Sequence, residues 1–134
     1  MKPVCFVLLS VLLLFTCFSC KKDKAPINGQ WRWTYTFEGG IAGGTVTPSS
    51  GTVVSLTLGS NLIYTTYLNN EIAAQGTYYY TASGNTSIIH FDKPITIDKL
   101  FLKGEETIFK QGSDTLTFSD SWVEGSSSLF VKIK

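Results

Sequence analysis

The chain has 134 residues, enough for one domain, and its 11 Lys and Arg side chains nearly balance its 10 Asp and Glu side chains. The net charge of +1, with no basic patch outside residues 21–24, argues against nucleic acid as a partner. All three cysteines lie within the first twenty residues, so the chain after Cys20 can form neither a disulfide nor a thiolate metal site. All 12 glycines and all six tyrosines follow Cys20, and Thr and Ser are abundant there, which is typical of strands joined by turns.

The N-terminal segment predicts export. Lys2 precedes an uncharged run of 15 residues at 4–18, whereas a membrane-spanning helix needs about 20. We therefore expect a cleaved signal at residues 1–19 rather than a permanent span. Ser19 next to Cys20 resembles the end of a bacterial lipoprotein signal, in which a peptidase cuts before a cysteine that carries lipid.

This resemblance implies that Cys20 is acylated, with palmitate among two or three chains, since one chain anchors only weakly. Residues 20–26 would form a short tether similar to those of Bacteroidetes lipoproteins. The expected location is the bacterial outer membrane. An acidic stretch in the tether would favour display on the surface, but Asp23 is the single acid there, so the periplasmic and surface faces both stay open. The alternatives are Cys17 as the acceptor, an ordinary signal that leaves a free thiol, and a retained anchor.

The first predicted strand has an aromatic face. Residues 31–37 alternate between large and polar side chains, which places Trp31, Trp33, Tyr35 and Phe37 together on one side. The rings are expected to form core. In a second interpretation Trp33, Tyr35 and Phe37 line a cup that binds a small apolar ligand.

A Gly-rich segment and three further strands follow. Residues 38–51 are predicted to form a long loop, either a mobile connection or a lid over a pocket mouth. Asn69-Asn70 is a two-residue turn candidate, since asparagine tolerates the left-handed conformation. The flanking strands are expected at 53–58, 62–68 and 71–81, with inward Val54, Leu56 and Leu58 on the first and a bulge at Gly76 on the last.

The second half continues this pattern of short strands. A strand at 87–91 precedes Pro94, and 95–102 is expected to break near Asp98-Lys99 into two strands or a bulge. A hairpin is expected from 107–111 and 114–119, with Leu116 and Phe118 inward. A loop at 120–127 carries Trp122, and the last strand, 128–134, groups Leu129, Val131 and Ile133 on one face. The fold predicted is all-β, an antiparallel up-and-down meander that forms a sandwich or closes into a barrel of about eight to ten strands.

The order of these motifs resembles the lipocalin-like domains of small Bacteroidetes lipoproteins. Gly29-x-Trp31 opens the first strand, a Gly-Gly-x-x-Gly-Gly loop follows at 39–44, and a Gly-Thr-Tyr step lies at 76–78. The resemblance covers 27–134 and implies a lipocalin-like β-barrel in which Trp31 closes one end. A barrel of about eight strands holds either packed side chains or one small ligand.

The residues do not assemble a recognisable enzyme. His90 is the single histidine and alternates with Ile89 and Phe91, so it is expected to face outward. No Gly-x-Ser-x-Gly elbow occurs, and too few His and Cys ligands remain for zinc. Adjacent Glu105 and Glu106 fit a turn better than an acid/base pair. We therefore predict no catalytic residue, no metal, no cofactor and no enzymatic activity.

Two functions are compatible with this reading. One is a module that is anchored to the membrane through Cys20 and binds a small apolar or amphipathic ligand in the barrel. The other is a structural or protein-interaction lipoprotein of the envelope with a filled barrel and an unidentified protein partner. Inhibition of an enzyme by an inserted loop is a third alternative.

Overall fold

The structure is a computed structural model and describes residues 27–83, 86–104, 107–112, 114–120 and 125–134. The predicted signal at 1–19 and tether at 20–26 lie outside the described residues, as do Trp122 and the pair Glu105 and Glu106. All the regular elements in the described part are β-strands. That part holds no helix of the length and apolar character needed to cross a membrane.

Short strands follow one another at turns, as expected from the alternation of apolar and polar residues. In chain order they are β1 Gly29–Phe37, β2 Thr45–Val46, β3 Val54–Leu58, β4 Ile63–Leu68, β5 Glu71–Ser83, β6 Thr86–Phe91, β7 Ile95–Ile97, β8 Leu100–Leu102, β9 Thr107–Gln111, β10 Thr115–Ser119 and β11 Ser127–Lys132.

Eight of these strands pair as an antiparallel meander that returns to its start. The order is β1-β3-β4-β5-β6-β9-β10-β11, and β11 then pairs with β1. The predicted all-β antiparallel barrel is confirmed. β2 pairs with the end of β1, and β7 and β8 form a separate hairpin between β6 and β9. Closure gives each of the eight strands two neighbours, so backbone groups that would form an open edge are paired.

The turns that the sequence marked lie where they were expected. Asn69 and Asn70 have φ of 51° and 70°, as the two central residues of a type I′ hairpin require. The chain breaks at Asp98, whose φ is 52°, and β7 begins directly after Pro94. Residues 38–51 form a long connection that also contains the short strand β2.

The predicted inner face of β1 is wrong beyond Trp33. Trp33 pairs with Phe130 and Tyr35 pairs with Leu129, so Thr34 is an extra residue on β1 that has no partner of its own. This β-bulge shifts the alternation by one residue. Thr36 therefore points inward, and Tyr35 and Phe37 are 37% and 49% exposed on the outside.

One further detail of the strands differs from expectation, and another is specified by the structure. The bulge in β5 lies at Ala73 and not at Gly76, because Thr66 pairs with Ala74 whereas Tyr67 pairs with Ile72. On β11, Leu129 and Val131 share a face, as predicted, and the structure shows that it is the outer one. The inner face belongs to Ser128 and Phe130, which are buried.

Gly76 has a different role from the predicted bulge. A Cβ placed there would lie 2.7 Å from the Tyr64 ring and would also clash with an Asp92 carboxylate oxygen. The glycine is needed because β5 passes directly beside this buried ring.

Candidate functional site

In the part of the chain that the structure describes, buried side chains pack together inside the barrel. Ring centroids lie 5.3 Å apart for Tyr64 and Phe91, 5.9 Å for Phe91 and Phe118, and 5.3 Å for Phe118 and Phe130, each pair edge to face. Edge-to-face contact at this distance is the favourable geometry for aromatic rings. The rest of the described core consists of Ile27, Trp31, Trp33, Val54, Leu56, Leu58, Tyr78, Ile89, Ile95, Ile97, Leu100, Leu102, Phe109 and Leu116.

Trp33 is the one predicted ligand-binding residue whose ring faces this interior, and it is part of the core. Its side chain is 1% exposed, and its indole N–H donates to Thr36 Oγ1 at 3.1 Å. Thr36 Oγ1 lies 2.7 Å from Ser128 Oγ, so the bulge places a hydrogen-bonded chain of Trp33, Thr36 and Ser128 inside the barrel. Tyr35 and Phe37 lie outside the barrel, and the three residues therefore do not form a cup.

Trp31 packs near the start of β1. Its indole N–H donates to the Ile27 carbonyl at 2.9 Å, and the Lys132 ammonium lies 5.5 Å from its ring centroid. The ammonium is within the range of a cation–π interaction. The first and last strands are thus joined at this end by side chains as well as by backbone pairing.

Two buried tyrosines have perturbed hydroxyls. Burial, with the neighbouring Asp92 carboxylate as the next cause, raises the pKa of Tyr64 to about 12. Burial, with the neighbouring Tyr80, raises the pKa of Tyr78 to about 12. Both hydroxyls therefore stay protonated at neutral pH.

The outer surface carries a first cleft, of about 630 Å³, beside β1 and the end of β11. It combines the Arg32 cation with apolar Pro48, Val53 and Val131, and Trp33 also contributes to its lining. In the described part of the chain Arg32 has no ion-pair partner. The cleft is therefore amphipathic.

A second cleft, of about 510 Å³, lies between the end of β6, β8 and the end of β10. The apolar part of its lining includes Phe101, which is 54% exposed. The charged part holds Asp92, Lys93, Lys103 and Asp120. We call this site the Phe101 cleft.

Asp120 is the most unusual group of the Phe101 cleft. Its Oδ2 lies 3.6 Å from Lys103 Nζ and accepts a hydrogen bond from Ser126 Oγ at 3.2 Å. Its Oδ1 is buried and has no hydrogen-bond partner within the described residues. A buried polar atom without a partner is costly and marks a position where a donor would be favourable.

His90 lies on the outer face, as predicted from its alternation. Its ring stacks on Tyr79 with centroids 4.4 Å apart and an interplanar angle of 9°. Ile63 pairs with Thr77, two residues before Tyr79, so it shares this face of the sheet. Tyr79 and Ile63 are 56% and 36% exposed. We call Ile63, Tyr79 and His90 the Tyr79 platform.

The sequence reading missed both the Phe101 cleft and the Tyr79 platform. Phe101 and Asp120 are 19 residues apart in the chain, and only the packing of the β7–β8 hairpin against the barrel brings them to one cleft. A local signal did exist for Tyr79, since it lies opposite inward Tyr78 and Tyr80 in the alternation of β5.

Comparison with known proteins adds no family to this geometry. No family model matches the chain, and neither a curated protein nor a solved structure matches it. Within the described residues, no group of three or more His, Cys, Asp or Glu side chains is placed to hold a metal ion. The functional conclusion therefore rests on the residues and their arrangement.

Proposed function

We propose that the protein is a lipid-anchored lipoprotein of the bacterial cell envelope whose filled, lipocalin-like barrel presents its outer surface to another envelope protein. The observation that carries this proposal is the packed interior. Trp31, Trp33, Tyr64 and Phe130 are each no more than 1% exposed. An interior occupied by interleaved rings leaves the outside of the barrel as the binding surface.

The anchor is proposed from the signal sequence. Acylation of Cys20 would leave seven residues, 20–26, between the lipid and the first described residue. At about 3.3–3.6 Å per residue such a tether reaches at most about 25 Å. The barrel is thus held close to the bilayer, where its partners are other proteins of the same membrane.

The anchor predicts where the protein is found in cells. The natural chain should remain with the membrane fraction through high-salt washing and be released by detergent, because two or three acyl chains anchor durably. Cys20→Ser should incorporate no labelled palmitate in cells, because the acceptor thiol is absent, and Cys17→Ser is the matched control that should still incorporate it. Equal palmitate incorporation by the Cys20→Ser variant would contradict the proposal.

The Tyr79 platform is the proposed contact surface for the protein partner. It joins two stacked rings to an exposed aliphatic side chain, and aromatic anchors dominate the binding energy of many protein interfaces. Two of its three side chains, Tyr79 and Ile63, are uncharged and exposed. An apolar partner surface is therefore the best match.

Photochemical cross-linking in intact cells of the source bacterium tests this contact. A photoreactive phenylalanine analogue in place of Tyr79 should give a discrete cross-linked band of higher mass. The same group in place of exposed Lys99, on the β7–β8 turn, should not give it. Absence of any discrete band from position 79, or the same band from both positions, would overturn the interaction role.

Small-ligand binding is the second proposed function, at the outer surface instead of the barrel interior. It is favoured by the two outer clefts, of about 630 and 510 Å³, because small-molecule sites are usually clefts of about 300–1,000 Å³. An amphipathic ligand fits their mixed lining better than a purely apolar one.

A further inference from the structure

We propose that the outer surface of the first strand lies directly against a bilayer that contains anionic lipid. This surface consists of Arg32, Tyr35, Phe37, Ile41 and Val131, and we call it the first-strand face. In this arrangement Phe37 and Ile41 enter the boundary between headgroups and acyl chains, and Arg32 lies beside the lipid phosphates. The inference rests on the lipid anchor of the proposed function and adds a second contact with the same membrane.

The bulge at Thr34 creates the aromatic part of the first-strand face. Arg32 pairs with Val131, and Tyr35 and Phe37 follow on the same outer side of β1. Tyr35, Phe37 and Val131 are 37%, 49% and 39% exposed. Apolar side chains that are exposed together, instead of singly, mark a surface that meets a protein or a membrane.

The loop after β1 adds an uncharged apolar tip to this face. Residues 39–44 read Gly-Gly-Ile-Ala-Gly-Gly, and the side chain of Ile41 is fully exposed. Burial of such a side chain at the bilayer boundary is favourable in proportion to its apolar area. The tip therefore suits the lipid phase better than water.

The loop backbone is also compatible with lipid. The Glu38 N–H donates to the Gly44 carbonyl at 2.8 Å, and the Gly43 N–H donates to the Gly40 carbonyl at 3.1 Å. Backbone groups paired in this way can approach the acyl region at lower cost, because lipid tails offer no hydrogen bonds. Glu38 is the single acid of residues 29–51 and lies outside the glycine-flanked tip.

The charges at the other end of the face favour anionic lipid. The first cleft lies there, and its lining includes Arg32, Lys132 and Lys134 and no acid among the described residues. Lys134 Nζ lies 4.0 Å from Asp114 Oδ2, and Lys132 lies over the Trp31 ring. Arg32 forms no ion pair within the described chain. Its guanidinium can bind a phosphate through paired N–H donors, and a cation near an anionic surface strengthens binding.

The tether brings the first strand, among all the strands, closest to the anchor. The described chain begins at Ile27, two residues before β1. A barrel that lies on β1 holds Ile27 beside the bilayer, within the reach of about 25 Å that the tether allows. A barrel that stood on its tether end would hold Ile41 about 30 Å away, since β1 has nine residues at about 3.3 Å each.

The same orientation leaves the Tyr79 platform free for a protein partner. In the ring of eight strands, β5 and β6 are three and four strands away from β1. Tyr79 on β5 and His90 on β6 therefore lie on the far side of the barrel from Arg32. The membrane contact and the proposed protein contact do not compete for one surface.

Lipid quenching of a fluorophore on the full acylated chain tests the proposal. The predicted cleavage removes Cys5 and Cys17, and acylation blocks Cys20, so an introduced cysteine is the single free thiol. Ile41→Cys and Ile72→Cys are labelled with the same fluorophore in vesicles of equal parts phosphatidylcholine and phosphatidylglycerol. Ile72 is the matched control because it is an exposed isoleucine on β5.

A doxyl group near the top of the lipid acyl chains should quench the label at position 41 about threefold more strongly than the label at position 72. Phe37→Ser should lower quenching at position 41 by about twofold, because it removes an apolar contact with the bilayer. Arg32→Gln should lower it about twofold in these vesicles and leave it unchanged in phosphatidylcholine alone. Ile63→Ser, on the Tyr79 platform, should leave it unchanged in both.

Three results would each overturn the proposal. They are equal quenching from positions 41 and 72, unchanged quenching in Phe37→Ser, and unchanged quenching in Arg32→Gln with phosphatidylglycerol present. The mass of the purified chain tests the anchor separately. An unacylated mass would overturn both the anchor and this inference, whereas equal quenching in an acylated chain would overturn the inference alone.

Discussion

Tyr64 and Tyr78 both bury a hydroxyl in the core, but only the Tyr78 hydroxyl has a hydrogen-bond partner among the described residues. The Tyr78 hydroxyl donates to the Gly59 carbonyl at 2.8 Å and lies 3.1 Å from Asn28 Oδ1. The Tyr64 hydroxyl is buried, and no described residue meets hydrogen-bond geometry with it, although the Asp92 carboxylate is near enough to raise its pKa. The hydrogen-bond partners of the Tyr78 hydroxyl offset the free-energy cost of burying it. The Tyr64 hydroxyl is buried without a partner of hydrogen-bond geometry among the described residues, so its burial cost is not offset in the same way.

A matched pair of substitutions tests this difference. Tyr78→Phe should lower the free energy of unfolding by about 1 kcal/mol, because it removes a satisfied buried hydrogen bond. Tyr64→Phe should leave it unchanged or raise it, since no satisfied bond is lost. Urea unfolding at neutral pH measures both. A loss in Tyr64→Phe as large as that in Tyr78→Phe would show that Asp92 accepts a stable hydrogen bond from Tyr64.

Among the elements, the long connection between β1 and β3 is attached to the β7–β8 hairpin through the Asp98 side chain. Asp98 Oδ2 accepts from the Ser49 backbone N–H at 2.8 Å, and Asp98 Oδ1 accepts from the Ser49 hydroxyl at 2.7 Å. These two hydrogen bonds lower the pKa of Asp98 below its ordinary value of 3.8. The contact ties a loop that was expected to be either mobile or a lid to the surface beside it.

The attachment predicts a particular response to acid. Because the pKa of Asp98 is lower when the loop is attached, the contact is fully present above pH 3.8 and is lost as the pH falls through that lowered pKa. The Ser49 amide resonance, followed by nuclear magnetic resonance, should titrate with a midpoint below 3.8.

Ser49→Ala is the matched control for this titration. It removes the hydroxyl donor and keeps the backbone donor, so the midpoint should move back toward the ordinary value of Asp98. A midpoint at or above 3.8 in the natural chain would mean that the two hydrogen bonds do not hold in solution.

At the scale of the whole molecule, closure of the barrel decides which surfaces can bind. β1 pairs with β3 on one side and with β11 on the other. Its inward rings, Trp31 and Trp33, belong to the same buried core as the rings of Tyr64, Phe118 and Phe130. Within the described residues, buried side chains pack together in the interior. The binding roles proposed above are therefore assigned to features outside the ring of strands, namely the Tyr79 platform, the first-strand face, the two outer clefts and the proposed lipid on Cys20.

The sequence by itself determined the local features of this barrel. Strict alternation predicted the buried face of β3, where Val54, Leu56 and Leu58 are each 1% exposed. The tolerance of asparagine for the left-handed conformation predicted the turn at Asn69-Asn70. The break at Asp98 was predicted because the alternation of apolar residues in 95–102 shifts by one position there. Each of these three features depends only on residues within a few positions of one another. The sequence alone was therefore enough to predict them.

Only the tertiary structure decided the position of the β-bulge in β1 and the presence of the Phe101 cleft, because both depend on elements that are distant in the chain. The extra residue at Thr34 is defined by the register against β11, about a hundred residues away, and it turned Tyr35 and Phe37 outward and Thr36 inward. The Phe101 cleft exists because the separate β7–β8 hairpin packs beside the end of β10. Local alternation fixes the face of a side chain only until a bulge intervenes, and a long-range pairing determines where that bulge lies.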